Sequence, residues 1–314
     1  MRTAFIETLC EVAERDERVW LLCGDLGFSV LERFAGRFPA RYVNVGVAEQ
    51  NMIGVAAGLA MSGKTAFVYS IANFPVMRCL EQIRNDVCYH DLSVKVVAVG
   101  GGMSYGPAGY THHALEDLAI MRALPNMTVV APADPVETRL ATRAVAGASG
   151  PCYLRLGKAG EPVVHQEEPA FRLGKAIVLR RGADVTLVST GGMLKTVMEA
   201  AARLADEGVS ASVISMPTVK PLDEQAVEEA ARTSPLLCVV EEHGPEGGLA
   251  DAVARCLASA ASPRRARLLA MNLGTLGADG SIGSQSYLNG RAGLTAEGIS
   301  GRVVASLRAG GGVG

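Results

Sequence analysis

The amino-acid sequence predicts an α/β protein made of two doubly wound α/β domains. Short apolar runs, of the kind that form buried parallel strands, alternate with helical segments along most of the 314 residues. Residues 157–172 break this alternation, because they lack periodicity and carry two prolines and several charges, and they are typical of a linker. A chain of this length forms two domains more often than one. We therefore expect one domain at residues 1–160 and a second at 175–314.

Ten apolar runs predict the strands of the two domains. Six of them lie in the first domain, at residues 19–24, 42–45, 65–69, 94–99, 127–131 and 152–156. Four lie in the second domain, at residues 185–189, 213–216, 236–241 and 267–273. Glycines, prolines and capping residues such as Asp223 lie between these runs and mark where helices begin and end. A glycine-rich loop is expected at 274–290, followed by a last helix.

Composition predicts a large globular core and no nucleic-acid or membrane partner. Hydrophobic residues make up 49% of the chain and charged residues 20%, and the net charge of −2 gives no basic surface. No apolar run has membrane-spanning length, and residues 1–20 mix acidic and basic side chains, unlike a signal peptide. The seven cysteines show neither a Cys-x-x-Cys pair nor spacing for metal ligands, so we expect reduced thiols in the core. A cytoplasmic location follows from these observations.

The segment at residues 41–64 carries the main candidate for chemistry. It predicts a short strand, a turn at Gly46, and a helix without a charged side chain between Met52 and Met61. Such a helix is expected to be buried nearly all round. Glu49 lies at its start, where the helix dipole alone could explain an acidic residue. The apolar surroundings favour another interpretation, a partly desolvated carboxylate that shares a proton with a ligand.

The string VGVAEQNMIGVAAGLA at residues 45–60 resembles the pyrimidine-binding segment of thiamine-diphosphate enzymes of the transketolase group. The likeness to the C-terminal subunit of split bacterial transketolases extends over nearly the whole chain. It implies a pyrimidine-binding domain followed by a transketolase C-terminal domain. It also implies that Glu49 hydrogen-bonds N1′ of the aminopyrimidine ring of thiamine diphosphate. Proton sharing there promotes the tautomer that activates the cofactor.

Three further residues are candidates for contact with the cofactor. Asp25 follows the strand at 19–24, and ligands of open α/β sheets gather at the carboxyl ends of strands. The resemblance implies that Asp25 lines the cofactor cleft, although a cap of the following turn is the alternative. It also implies an aromatic ring over the aminopyrimidine, for which Phe74 is the first choice and Tyr69 the second. Either ring could instead be a core aromatic.

The loop after the strand at 94–99 ends in the string Gly-Tyr-Thr-His, at residues 109–112. The resemblance implies that His112 contacts the oxygen atoms of the sugar donor near the reacting carbon, where a neutral imidazole can donate or accept a proton. Two positions depart from the family pattern, since Ala108 replaces an Asp that contacts a substrate hydroxyl and Tyr110 replaces a Pro. We expect these changes to alter the preferred donor.

The strand at 152–156 places Arg155 at its end. The resemblance implies that this guanidinium binds the phosphate of the sugar, with Lys158 as a weaker partner for the same anion. An ion pair with a surface carboxylate is the alternative.

Two groups of charged residues have a structural interpretation as well. Arg78, Glu81 and Arg84 lie at helical spacing and predict a solvated or dimer-facing charge ladder. The string Glu-Glu-His at 241–243 could suggest a triad or a metal site, but no nucleophile or further ligand has suitable spacing. The resemblance instead assigns the second domain to dimerisation, with this string near the subunit contact.

The diphosphate site of this superfamily, a Gly-Asp-Gly string followed some distance on by Asn, has no match in the chain. Asp279 lacks the leading glycine, and Asn289 is too near. The resemblance therefore implies a separate α subunit that binds the diphosphate and Mg²⁺, in an α2β2 heterotetramer to which this chain contributes Glu49.

The function implied is the transfer of a two-carbon ketol unit from a ketose or ketose phosphate to an aldehyde. The alternatives are the β chain of a 2-oxo-acid dehydrogenase, an enzyme like 1-deoxyxylulose-phosphate synthase, and a non-catalytic scaffold. The strings Ala-Glu-Gln-Asn at 48–51 and Thr-His-His at 111–113 favour the ketose branch.

Overall fold

The computed structural model describes residues 1–260 and 266–310 and contains two sheets flanked by helices. The two-domain α/β fold predicted from the sequence is confirmed. The seven strands of the first sheet are β1 (Val19–Cys23), β2 (Tyr42–Asn44), β3 (Thr65–Ile71), β4 (Val94–Val99), β5 (Thr128–Val130), β6 (Cys152–Leu156) and β10 (Thr218–Lys220). The five strands of the second sheet are β7 (Ile177–Arg180), β8 (Val185–Ser189), β9 (Ala211–Ser215), β11 (Leu236–Val240) and β12 (Arg267–Met271).

Both sheets are parallel except at one edge. The first has the strand order β10-β5-β6-β4-β3-β1-β2, and only β10 pairs antiparallel. The second has the order β12-β11-β8-β9-β7, and only β7 pairs antiparallel. All residues of β4, β6, β8 and β11 are buried, as expected for strands covered by helices on both faces.

Twelve α-helical segments surround these sheets in the described part of the chain. Eight begin before residue 200: α1 (Arg2–Arg15), α2 (Glu32–Arg37), α3 (Glu49–Met61), α4 (Asn73–Arg78), α5 (Leu80–Gln82), α6 (Asp117–Ala123), α7 (Pro135–Gly147) and α8 (Leu194–Asp206). The others are α9 (Glu224–Thr233), α10 (Leu249–Ser259), α11 (Gln285–Arg291) and α12 (Ala296–Gly310). None of the helices in residues 1–260 and 266–310 is long and apolar enough to cross a bilayer.

Helix α3 differs from the sequence prediction. We expected it to be buried nearly all round, but one face is open in this chain. The open positions follow helical spacing and carry no charge: Asn51, Gly54, Val55, Gly58 and Met61. The opposite face, with Met52, Ile53 and Ala56, is completely buried against the first sheet. An exposed helix face without charge has the composition of a face that another protein covers.

The string at 241–243 lies inside the chain, where the two domains meet. Glu241 accepts hydrogen bonds from the backbone N–H groups of Leu249 and Ala250, at the start of α10. Glu242 accepts one from the N–H of Met103 in the first domain at 2.7 Å. All three side chains of the string are buried. The charged string thus caps a helix and joins the domains.

A second buried polar group ties the linker to both domains. His165 Nε2 lies 2.8 Å from Glu137 Oε1 at the start of α7, and Ser215 at the end of β9 donates to the same oxygen at 2.7 Å. Asp134 accepts the backbone N–H of His165 at 3.0 Å. Burial disfavours the charged imidazole, but the Glu137 carboxylate outweighs this and raises the pKa of His165 above its usual value.

This arrangement predicts a pH dependence of stability. Because the pKa of His165 is raised in the folded chain, its contribution is complete below the pKa of the unfolded chain, about 6.5. It is lost as the pH rises through the folded pKa. We expect His165→Gln to remove roughly 2 kcal/mol of stability at about pH 6, the scale of a hydrogen bond to a charged group, and less at about pH 8.5. Thermal melting of both proteins across this range measures the difference, and an equal loss at every pH would contradict the assignment.

Candidate active site

Glu49 is held at the junction of β2 and α3. The chain leaves β2 at Asn44, whose side-chain oxygen accepts the N–H of Gly46 at 3.0 Å. Gly46 has φ of +73°, a left-handed conformation that glycine adopts without strain, and it turns the chain into α3. Glu49 is the first residue of that helix and only 5% exposed. The helix dipole therefore acts on a carboxylate that is nearly out of contact with water.

Among the described residues, the Glu49 carboxylate pairs with one charged side chain. Arg78, the last residue of α4, donates from Nη1 to Glu49 Oε1 at 2.7 Å. The Arg78 side chain is 47% exposed, so the pair lies at the boundary between core and solvent. The charge ladder predicted for Arg78 is replaced by this contact. Helical spacing suggested local partners, whereas the observed partner lies 29 residues earlier in the chain.

Phe74 stands between the Glu49 pair and the loop of His112. The guanidinium carbon of Arg78 lies 4.0 Å from the centroid of the Phe74 ring, within the range of a cation–π contact. The imidazole of His112 meets the same ring edge-on, with centroids 5.2 Å apart. Phe74 is the second residue of α4. The predicted cofactor acid, aromatic ring and histidine therefore form one connected group.

The loop that carries His112 is tied to α4. Asn73 donates from its side-chain nitrogen to the carbonyl of Thr111 at 3.0 Å, and the Thr111 hydroxyl lies 3.0 Å from His112 Nδ1. The two departures from the family pattern are on the surface of this loop, where Ala108 and Tyr110 are both exposed. The Tyr110 hydroxyl donates to a carboxylate oxygen of Glu116. The loop therefore presents His112 from a fixed turn beside Phe74.

The aromatic row continues beyond His112. Its ring centroid lies 6.1 Å from that of Tyr105, and Lys158 Nζ lies 4.6 Å from the centroid of Tyr105. Tyr105 packs on Gly100, where an added Cβ would lie 2.1 Å from the ring, so only glycine fits there. Phe74, His112 and Tyr105 thus form a row with Arg78 over one end and Lys158 over the other.

Asp25 and Tyr69 occupy different positions relative to this group. Asp25 is exposed at the end of β1 and exchanges hydrogen bonds with Asn44, at 3.1 and 2.9 Å. The residue before it, Gly24, is a direct neighbour of Glu49, since a Cβ added at Gly24 would lie 3.6 Å from Glu49 Cγ. Asp25 is therefore one residue away from a contact of Glu49. Tyr69 is only 1% exposed and stacks on Phe5 in the core. That is the core arrangement which the sequence left open.

Arg155 lies in a buried ion pair. Its Nε and Nη2 donate to the two oxygens of Asp117 at 2.7 and 3.0 Å, and Nη2 also donates to the carbonyls of Ala114 and Glu242. The two side chains are 6% and 1% exposed. Burial disfavours the Asp117 charge, but the guanidinium outweighs this and lowers the pKa of the carboxyl. The sequence left open that Arg155 pairs with a surface carboxylate, and the structure shows such a pair with a buried carboxylate, Asp117.

Arg155 also borders a cavity of about 420 Å³ between the domains. Its remaining nitrogen, Nη1, lies 3.9 Å from the position of a Cβ added at Gly191 in the second domain. Gln285 and Glu242 line the same cavity, and the Gln285 amide donates to Glu242. Burial raises the pKa of Glu242. One edge of the guanidinium therefore faces open space while the other is fixed by Asp117.

Sequence reasoning missed the two partners that decide these geometries. Arg78 lies on a different helix from Glu49, and Asp117 lies on a helix whereas Arg155 lies on a strand, so no local pattern links either pair. An uncompensated Arg in a run of buried strand residues was a signal that some buried carboxylate is present, since charges are rarely buried without a partner. That signal does not say which carboxylate it is.

Comparison with known proteins identifies both domains. Residues 1–160 match the family described as transketolase, pyrimidine binding domain, and residues 174–299 match that described as transketolase, C-terminal domain. This pair of domains defines a thiamine-diphosphate enzyme. The chain belongs to the transketolase family, and the resemblance based on the string at 45–60 is confirmed.

Relatives of similar length carry this pair of domains. The putative transketolase C-terminal section of Methanocaldococcus jannaschii is 37% identical over 311 residues, which cover 98% of this chain and 96% of the relative. A 6-deoxy-6-sulfo-D-fructose transketolase subunit of Clostridium sp. (strain MSTE9) is 38% identical, covering 95% and 92%. A solved structure described as a split gene transketolase, inactive beta4 tetramer, has a TM-score of 0.87 at 37% identity and covers 98% and 97%.

Enzymes of another activity are also similar. The 1-deoxy-D-xylulose-5-phosphate synthase of Thermomicrobium roseum is 36% identical over 309 residues. The match covers 96% of this chain but only 48% of that enzyme. The family therefore includes more than one reaction.

The residues around Glu49 fit one half of the cofactor that the family implies. A buried carboxylate that can accept a ring N–H and a neighbouring aromatic face are suited to a flat aminopyrimidine. The described residues offer no matching set of ligands for the metal that accompanies the diphosphate. Within residues 1–260 and 266–310, no three His, Cys, Asp or Glu side chains gather in a way that could hold an ion. No metal ligand is therefore assigned to this chain.

Proposed function

We propose that this chain supplies the pyrimidine-binding and donor-binding part of a transketolase, which transfers a two-carbon ketol unit from a ketose to an aldehyde. Thiamine diphosphate, when bound, provides the carbon nucleophile for this transfer. Glu49 shares a proton with the ring nitrogen, Phe74 stacks on the ring, and Asp25 lines the same cleft at the end of β1. Tyr69, the second choice for this stack, lies in the core against Phe5, so the stacking role is assigned to Phe74 alone.

The observation that carries the proposal is the position of Glu49. Glu49 is a carboxylate that is 5% exposed at the start of a helix, and it pairs with Arg78, which also lies over the Phe74 ring. A buried carboxylate whose counter-ion is half exposed can exchange that partner for a ligand group. Transketolase relatives that span the length of this chain support the same conclusion.

His112 is proposed to hold or move a proton at the donor oxygen. The centroids of the His112 and Phe74 rings are 5.2 Å apart. The side chain proposed to contact the donor oxygen therefore lies next to the side chain proposed to stack on the pyrimidine. A neutral imidazole in this position can donate to a developing alkoxide.

The far end of the donor is proposed to meet positive charge. Arg155 keeps Nη1 for an anion such as a sugar phosphate while Asp117 fixes the other edge of its guanidinium. Lys158 provides a second cation at the Tyr105 end of the aromatic row. A ketose that carries a phosphate or another anion at its last carbon therefore matches the charges of the site.

A separate subunit is proposed to bind the diphosphate and Mg²⁺, in an α2β2 assembly. The open face of α3 supports this proposal, because Gly54, Val55 and Gly58 let another backbone approach closely and offer it no charge. Val47 and Met61, at 74% and 60% exposure, extend the same surface at both ends of the helix. This surface begins beside Glu49, so a partner that covers it also reaches the proposed pyrimidine site.

The test is to produce this chain together with a chain that carries the Gly-Asp-Gly and Asn diphosphate site. The purified complex is then assayed with ketose donors, with and without a terminal phosphate, and an aldehyde acceptor. Ketol transfer by the complex, and none by either chain alone, is the expected result. Turnover of sugars with magnesium and thiamine diphosphate by this chain alone would overturn the proposed division.

A second candidate is the reaction of 1-deoxyxylulose-phosphate synthase, favoured by the similarity to such enzymes. That reaction begins with a 2-oxo acid, whereas a transketolase begins with a ketose. Release of carbon dioxide from pyruvate by the complex, in the presence of an aldehyde phosphate, distinguishes the two.

His112→Ala is expected to lower kcat of the complex by about two orders of magnitude, within the range for a lost proton-transfer group. The binding of thiamine diphosphate should remain unchanged, because Glu49 and Phe74 are intact. Steady-state kinetics and a calorimetric titration of the cofactor measure the two quantities. His90→Ala provides the control, since His90 is an exposed histidine that contacts Tyr89 and no residue of the site.

A further inference from the structure

Arg78 contacts the same two groups that the proposed function assigns to the cofactor ring. Its Nη1 donates to Glu49 Oε1 at 2.7 Å, and its guanidinium carbon lies 4.0 Å from the centroid of Phe74. One planar cation therefore bridges the buried carboxylate and the aromatic face.

We propose that Arg78 is an internal counter-ion that occupies the pyrimidine subsite of the cofactor-free chain and is exchanged for the aminopyrimidine ring when the cofactor binds. The inference rests on the proposed function, since it takes Glu49 and Phe74 as the contacts of the ring. It adds a residue that sets the affinity for the cofactor without taking part in the reaction.

The two occupants are chemically alike. A guanidinium is planar, donates N–H hydrogen bonds in its plane, and stacks on aromatic faces. An aminopyrimidine that shares a proton at its ring nitrogen offers an N–H in its plane and a flat face as well. The ring is assigned to the face of Phe74 that Arg78 covers, and that face can hold only one of the two groups at a time. Binding of the ring must therefore displace the Arg78 side chain.

The surroundings of Arg78 allow this exchange. Its side chain is 47% exposed whereas that of Glu49 is 5% exposed, so the guanidinium can move into solvent while the carboxylate stays in place. Gln50 donates from its side-chain nitrogen to the carbonyl of Arg78 at 2.9 Å, which holds the main chain during the movement. A buried carboxylate without a partner is costly. The exchange keeps Glu49 partnered both before and after the cofactor binds.

The test measures cofactor binding, not turnover. The complex of this chain with its diphosphate-binding partner is titrated calorimetrically with thiamine diphosphate in excess Mg²⁺. Arg78→Met keeps a long side chain that can pack on Phe74 but carries no charge. We expect its Kd for thiamine diphosphate to fall by about three- to tenfold, because a competing contact is removed. Arg78→Lys, which keeps the charge without the planar stack, should give a smaller fall.

Stability of the cofactor-free chain provides a second readout. Arg78→Met should lower its melting temperature, because Glu49 is left without its counter-ion, and the double variant with Glu49→Gln should recover most of the loss. Arg84→Met is the matched control, since Arg84 is an exposed arginine six residues further on, bonded only to the adjacent Asn85 among the described residues. It should change neither the melting temperature nor Kd.

Each outcome has a distinct meaning. An unchanged or higher Kd for Arg78→Met, with a normal Kd for the unmodified complex, would overturn the exchange and make Arg78 a structural support of Glu49. Failure of the unmodified complex to bind thiamine diphosphate at all would instead overturn the proposed function. If Arg78→Met does not assemble with the partner, the Arg78→Lys titration decides, and a Kd equal to that of the unmodified complex contradicts the exchange.

Discussion

Glu49→Gln is expected to lower kcat of the assembled enzyme by about two to four orders of magnitude, the range for a group that positions a proton in the reaction. The amide has the size of the carboxylate and can still contact Arg78, so the start of α3 is preserved. The amide cannot share a proton with a ring nitrogen in the same way, because an amide oxygen does not take up a proton as a carboxylate does. Steady-state rates of ketol transfer by the complex measure the effect.

Glu81→Gln is the control for this substitution. Glu81 is an exposed acid three residues after Arg78 in the chain, whereas Glu49 is buried. Its rate should match that of the unmodified complex. Full activity of Glu49→Gln would favour the scaffold alternative, in which this chain only supports a partner that performs the chemistry alone.

Strands with long apolar runs could be predicted from the sequence almost residue by residue. The runs at 94–99, 152–156 and 185–189 coincide with β4, β6 and β8. In each, β-branched or apolar residues predominate, with Lys95 in β4 and Arg155 in β6 as the charged exceptions, because both faces of a central parallel strand are covered. Gly or Pro residues bound these runs closely. Local composition therefore fixes both the type and the limits of such elements.

Edge elements could not be predicted in this way. Strands β7 and β10, with 4 and 3 residues, are too short for a periodic signal, and their pairing depends on β9 and β5. Helix α11 lies within a segment that we expected to be a glycine-rich loop. It begins where Ser284 accepts the N–H of Tyr287, and Leu288 is buried beneath it. Contacts with the rest of the fold outweigh local propensity in these places.

The candidate site was predictable in its residue types and not in its pairings. Glu49, Phe74 and His112 were chosen from motifs, and the fold brings them into one connected group. The burial of α3 was overestimated, because an apolar helix face looks the same in sequence whether the chain itself or a second protein covers it. The partners of buried charges could not be found either. An ion pair across 38 residues leaves no periodic trace in the sequence.

Asp117→Ala is expected to cause the largest loss of stability, about 3–5 kcal/mol, the cost of leaving one member of a buried ion pair alone. Arg155 would keep its charge, because a guanidinium does not lose its proton in a protein. The hydrogen bond that the Tyr153 hydroxyl donates to Asp117 at 2.6 Å is lost as well. Urea unfolding of the purified chain measures the loss.

Two further variants show whether the cost lies in the pairing. Glu11→Ala breaks the surface pair with Arg143, in which the side chains are about half exposed, and should cost less than about 1 kcal/mol. The double variant Asp117→Leu with Arg155→Met removes both buried charges and should recover much of the stability lost in Asp117→Ala. A double variant no more stable than Asp117→Ala would mean that Arg155 holds the fold through the carbonyls of Ala114 and Glu242. These carbonyls, and not Asp117, would then fix the orientation of the Arg155 guanidinium toward an anion.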